Sequence, residues 1–153
     1  MTIAYEFVRD KIPHSFDVGA NVVTAKASDV LKNETGICHA KANLLTALLR
    51  SQKIPAGFCF QHITLMDDDS KGYCVHCFNA VRLDGRWIKI DARGNKAGVD
   101  ARFSLNKPIL AFPCRLNMMN TSGEEFMPRR TLKPCKYLNK QRIFKMLLRT
   151  FLI

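Results

Sequence analysis

The stretch Val75–Lys96, "VHCFNAVRLDGRWIKIDARGNK", decides how this chain is read. Two runs rich in β-branched and aromatic residues flank Asp84-Gly85, a dipeptide suited to the tight turn of a β-hairpin. A two-residue loop there pairs Leu83 with Arg86 and Ala80 with Lys89, and sets His76 opposite Arg93. Side chains alternate along a strand, so Asp91 falls on the His76 face, one diagonal step away. Such neighbours lie roughly 7–8 Å apart at Cα, a gap that long side chains bridge. A three-residue loop with a bulge would invert the parity and separate the two. A carboxylate bonded to one imidazole nitrogen fixes the tautomer and steadies the imidazolium, which leaves the other nitrogen to exchange a proton. The hairpin therefore offers a base and its orienting acid, and lacks a nucleophile.

Residues 37–52, "ICHAKANLLTALLRSQ", carry the strongest helical pattern. Cys38, Ala42, Leu45 and Leu49 form one stripe and Leu44, Ala47 and Leu48 the next, which predicts a helix buried on more than one side. Thr35 or Asn33 is placed to cap its start, and Pro55 lies just past its end. Cys38 falls in the first turn, where free N–H groups and the helix dipole favour a thiolate. Its own backbone N–H is placed to help bind an oxyanion as an attacked carbonyl becomes tetrahedral. Cysteine, histidine and aspartate then make an acyl-transfer set recognised by role rather than chain order. His39 points about 100° away around the helix and reads as a rim or substrate-contact residue.

At these residues a family resemblance appears. "GICHAKANLLTALLRSQKIPAGF" followed by "HCFNAVRLDGRWIKIDARGN" resembles the core of the transglutaminase-like superfamily, including its bacterial and archaeal members described as cysteine proteases. The matching positions are Gly36, Cys38, Leu49-Arg50, Ile54-Pro55-Ala56, His76, Gly85-Arg86-Trp87 and Asp91, and they span about residues 28–97. The resemblance implies an α+β, papain-like fold in which the cysteine helix packs on an antiparallel sheet carrying His76 and Asp91. It also implies thiol chemistry on a peptide or protein amide: hydrolysis, deamidation, or transamidation to an amine acceptor. Transglutaminases place an oxyanion-stabilising aromatic well upstream of the cysteine, and no clear equivalent stands here; Gln61 is the substitute candidate. No cofactor or metal is required by this reading.

The remaining sequence fits that frame. "IAYEFVRDKI" predicts a first helix stopped by Pro13, "ASDVLKN" a short helix capped by Ser28, and "GFCFQHITLM" a strand. Helices followed by three adjacent strands favour α+β with an antiparallel sheet. Trp87 shares the Asp91 face and is placed to shield the His76–Asp91 pair, although a core role is the plainer reading. Cys74 shares the His76 face and is expected to line the site. Cys74 and Cys77, spaced as CxxC, point to opposite faces of a strand and lack a second knuckle, which disfavours zinc. "DDDS" lacks the ligand spacing of a calcium loop. Arg93 is expected to pair with an acid, and His14 shows no evident partner.

The chain has 153 residues with 47% apolar, enough for a buried core. Six cysteines without an apolar N-terminal leader point to reduced thiols and a cytoplasmic setting. The net charge of +11 is uneven. Residues 1–100 hold 13 basic and 11 acidic side chains, and residues 101–153 hold 11 and 2. The expected division is a catalytic core over 1–116 and a basic extension over 117–153 with a short amphipathic helix at 138–152. A solvated basic face covering the core is the plain reading of that extension. A nucleic acid or an anionic surface as partner is the alternative, with the whole chain then a non-catalytic binding module.

Overall fold

A computed structural model describes residues 1–64 and 73–112. The basic extension with its expected helix, the boundary near 116, the "DDDS" turn, Cys114 and Cys135 lie outside the described residues. Three helices come first: α1 (Thr2–Glu6), α2 (Ala27–Asn33) and α3 (Cys38–Ser51). Three strands follow, β1 (Ala56–Thr64), β2 (Tyr73–Leu83) and β3 (Arg86–Ile90), in an antiparallel sheet of order β1-β2-β3. The expected α+β class is therefore observed. Among the described residues no helix is long and apolar enough to cross a membrane.

The hairpin forms as its turn dipeptide dictates. Asp84 and Gly85 both adopt positive φ, 48° and 77°, the requirement of the tight turn that matches strand twist. Leu83 pairs with Arg86 and Ala80 with Lys89, so the parity argument holds. β3 ends at Ile90, however, so His76 meets Gln61 of β1 in the ladder rather than Arg93.

α3 is buried on two sides, through Ala40, Ala42, Leu44, Leu45 and Leu49, because it lies between the sheet and the N-terminal helices. The fully buried Asn79 of β2 ties it down, donating from Nδ2 to Ala42 O, Thr46 Oγ1 and Gly57 O. At its C-terminus Ile54 N–H reaches Leu49 O and Lys53 N–H reaches Arg50 O, with Lys53 left-handed at φ 60°. That Schellman closure satisfies end carbonyls and turns the chain into Pro55 and β1. Arg50 then grips Ala56 O from Nε and Nη2.

Two capping expectations fail. Ser28 lies inside α2, whose N-cap is Lys26. Asn33 and Thr35 do not cap α3, whose N-cap is Ile37 with no side-chain bond. Asn33 Nδ2 instead turns back to Asp29 O, and the Thr35 hydroxyl bonds Pro13 O. The first helix runs on from α1 as a π-helical turn over Phe7–Lys11 before Pro13.

Lys41, one turn into α3, is only 1% exposed and donates its Nζ to the carbonyls of Ile12 and Arg9 at the end of that turn. Burial, helped by the nearby positive charge of Arg93, pulls its pKa down from 10.5 to about 7. A lysine depressed by folding binds fewer protons folded than unfolded between those values, so stability rises with pH across that window. Wild type should gain on a Lys41→Met variant as pH climbs from about 7 toward 10, read as urea midpoints of both proteins. A pH-independent difference would show that the ammonium carries no folding penalty.

Candidate functional site

The site lies where the first turn of α3 meets β2 and the exit of β3. His76 Nε2 and Asp91 Oδ2 are 2.8 Å apart, both side chains buried. Two further N–H groups close on the same carboxylate: Arg93 N–H on Oδ1 at 3.0 Å and Ala111 N–H on Oδ2 at 3.0 Å. Tyr5 donates its hydroxyl to the Asp91 carbonyl at 2.8 Å. Charge-assisted bonds of this kind are what make a buried carboxylate tolerable.

With Nε2 held by Asp91, Nδ1 of His76 is left free of that carboxylate, and the ring and the Cys38 thiol lie close enough to act on each other's pKa. Burial alone would lower the His76 pKa, but the Asp91 carboxylate and the Cys38 thiolate outweigh it and push it up to about 9. Burial likewise raises the Cys38 thiol, yet hydrogen bonds with His14, His39 and His76 hold it well below its ordinary value. The two shifts run in complementary directions, the imidazole toward its protonated form and the thiol toward its thiolate. Cys38 as a residue is of intermediate exposure.

The imidazole is flanked by two rings. Phe112 meets it edge-on at 5.0 Å and Phe78 stacks at 6.0 Å. The expected shield, Trp87, instead pairs with Arg82 beside the turn and is 42% exposed. Phe112 is held over the site by Gln61, whose Nε2 donates to its carbonyl at 2.9 Å. The Gln61 amide N–H thus points to the covering segment. His39 comes closer to the chemistry than a rim residue, with Nδ1 3.3 Å from Cys38 Sγ and its ring against Phe60. Cys74 is half-buried, and its thiol is pushed up by burial and by the charge on Cys38. Arg93 forks onto Asp17 as expected of an acid partner, and Lys96 reaches the same carboxylate at 2.7 Å. Among the described residues no group of three or more His, Cys, Asp or Glu is placed to hold a metal ion.

His14 is the residue that sequence reasoning missed. Its Nε2 accepts the backbone N–H of Cys38 at 3.2 Å, supplying from 24 positions upstream the cap that no neighbour provides. The segment carrying it runs beside Gly36: Ser15 N–H bonds Gly36 O at 3.2 Å, and His14 and Gly36 form a parallel bridge. The one available signal was an apolar N-cap, Ile37, which leaves a helix start in need of a distant partner.

Residues 2–92 match the sequence profile of the transglutaminase-like superfamily. The chain belongs to that superfamily. No curated protein matches it. Among solved structures, a candidate cysteine protease from Cytophaga hutchinsonii is similar at 21% identity and TM-score 0.49, over 60% of this chain and 29% of that one. A TGase is similar at 13% identity and TM-score 0.48, over 67% of this chain and 28% of that one. This transglutaminase-like chain therefore spans under a third of the length of either.

The superfamily glycine two before the cysteine has a steric reason here. A Cβ on Gly36 would stand 2.9 Å from Ala40 Cβ and 3.1 Å from Thr24 Oγ1. Neither atom sits at the end of a long flexible side chain, so the α3 entry must shift. Gly36→Ala should cost roughly 1–3 kcal/mol of stability, as overpacking does, measured by chemical denaturation. An unchanged midpoint would mean that the entry relaxes without strain.

Proposed function

We propose that this chain is a cysteine-dependent enzyme acting on amide or peptide bonds through a thioester acyl-enzyme. Cys38 is the nucleophile, His76 the acid and base, and Asp91 the group that orients His76. The thiolate attacks the acyl carbon, and the carbonyl electron pair moves onto oxygen. On collapse the C–N bond breaks and the leaving amine takes the proton from His76 Nδ1. Water, or an amine, then gives that proton back to His76 as it attacks the thioester. Such acid–base help contributes roughly 10²–10⁴-fold.

One observation carries the reading: an imidazole gripped by a buried carboxylate at 2.8 Å acts on a thiol held well below its ordinary pKa. Perturbed groups of complementary sign favour a reactive site over a packing one. Superfamily membership favours a peptide or protein as the acyl donor. His39 and Cys74, beside the sulfur, would meet that donor first.

Alkylation with iodoacetamide at near-neutral pH tests the nucleophile. Cys38 should react ahead of the other cysteines, with an onset well below the pH of an ordinary thiol, and His76→Ala should slow it by removing the imidazolium. Incubation with a peptide mixture should leave an acyl adduct on Cys38 detectable by mass spectrometry, absent from Cys38→Ala and discharged faster when an amine is added if transamidation is the outcome. Uniform labelling of all the thiols would sink the proposal.

A further inference from the structure

Resting on that thiol-acylation reading, we infer that His14 is a further catalytic residue, the side-chain hydrogen-bond donor to the oxyanion formed at Cys38. The bond seen here runs the wrong way for that task. Cys38 N–H donates to His14 Nε2 at 3.2 Å, and an imidazole nitrogen that accepts carries no proton. The ring is then neutral with its proton on Nδ1, and Nδ1 is buried with no hydrogen-bond partner among the described residues. His14 as a whole is 7% exposed. A histidine so enclosed normally satisfies both nitrogens, and this one satisfies only the nitrogen aimed at the cysteine.

In this arrangement the helix N–H best placed for an acyl oxygen is occupied by the His14 lone pair. An oxyanion arriving there would meet an acceptor, which is repulsive. Transfer of the ring's single proton from Nδ1 to Nε2 reverses both effects with no change in proton count. Because Nδ1 has no partner among the described residues, nothing there fixes the proton on it, and the Nε2–H tautomer is the form that an arriving oxyanion selects. Cys38 N–H is released, and Nε2–H becomes a second donor beside it. Nε2 stands at the backbone N–H of Cys38, the residue whose sulfur forms the new bond. Two donors then converge on the oxygen as the C–S bond forms and the carbonyl pair localises.

The fold holds His14 at that point from three directions. Gly36 pairs with its backbone, the Lys41 ammonium holds Ile12 O two residues before it, and Arg93 grips Asp17 three residues after it. Gln61, the earlier candidate for this role, places one of its two amide N–H groups on Phe112 O.

Two reagents separate the role from a structural one. Iodoacetamide displaces iodide at carbon and forms no oxyanion, so it reports thiolate alone. p-Nitrophenyl acetate acylates the thiolate through a tetrahedral oxyanion and expels a phenolate that needs no proton. The ratio of Cys38 acylation to alkylation should fall roughly 10²–10³-fold in His14→Ala. His14→Gln, whose carboxamide also donates, should recover most of the loss, and it serves as the folded reference if His14→Ala is unstable. An equal fall in both rates, or in neither, would overturn the role of His14. So would a His14→Gln ratio no better than that of a His14→Met variant, which has bulk but no donor. If wild-type Cys38 takes up no acetyl group at all, the underlying thiol-acylation reading fails instead.

Discussion

The Asp91 carboxylate is the constraint on which the rest of the site depends. A buried carboxylate without partners would cost free energy that is a large fraction of the net stability of a domain this size. Here it gathers N–H groups from β2 through His76, from the β3 exit through Arg93, and from the returning loop through Ala111. Its backbone carbonyl also takes the Tyr5 hydroxyl. One residue therefore fixes the imidazole, closes the loop that brings Phe112 over it, and anchors the N-terminal helix. Removing the charge would undo more than a proton relay, because each of these segments uses it as an attachment point.

The start of α3 is the complementary half. Three imidazoles act on the Cys38 thiol, from His14, His39 and His76. Of the three, only His76 has a carboxylate behind it among the described residues, and that difference distinguishes the histidines. Asp91 helps push the His76 pKa up to about 9, whereas His14 offers its Nε2 as acceptor to the Cys38 N–H. The same helix end thus combines a thiol whose pKa is lowered, an imidazole whose pKa is raised and a backbone donor taken by another ring.

The hairpin and the cysteine at the start of α3 were legible in the sequence for different reasons. The Asp84-Gly85 turn admits one short geometry, and side-chain alternation then fixes which face carries His76 and Asp91. Cys38 was legible because its helix pattern is long and begins beside it. What escaped was everything supplied from a distance. Local capping rules nominated Asn33 and Thr35, but both side chains found other carbonyls and His14 took the position. Parity put Trp87 on the correct face yet too near the turn to reach the imidazole, and Phe112 came from a segment with no strand pattern at all. The register also assumed that β3 continues to residue 93, whereas it stops at Ile90 and frees Arg93 to meet Asp17.

The wide spacing of these contributors along the polymer has a consequence for the life of the protein. Residues 14, 38, 76, 91 and 111 must all be in place before the sulfur acquires its electrostatic surroundings. A ribosome-bound chain that has emerged only through α3 lacks the imidazole of His76 and the carboxylate of Asp91, so the groups that shift the Cys38 pKa assemble only after synthesis has passed residue 111.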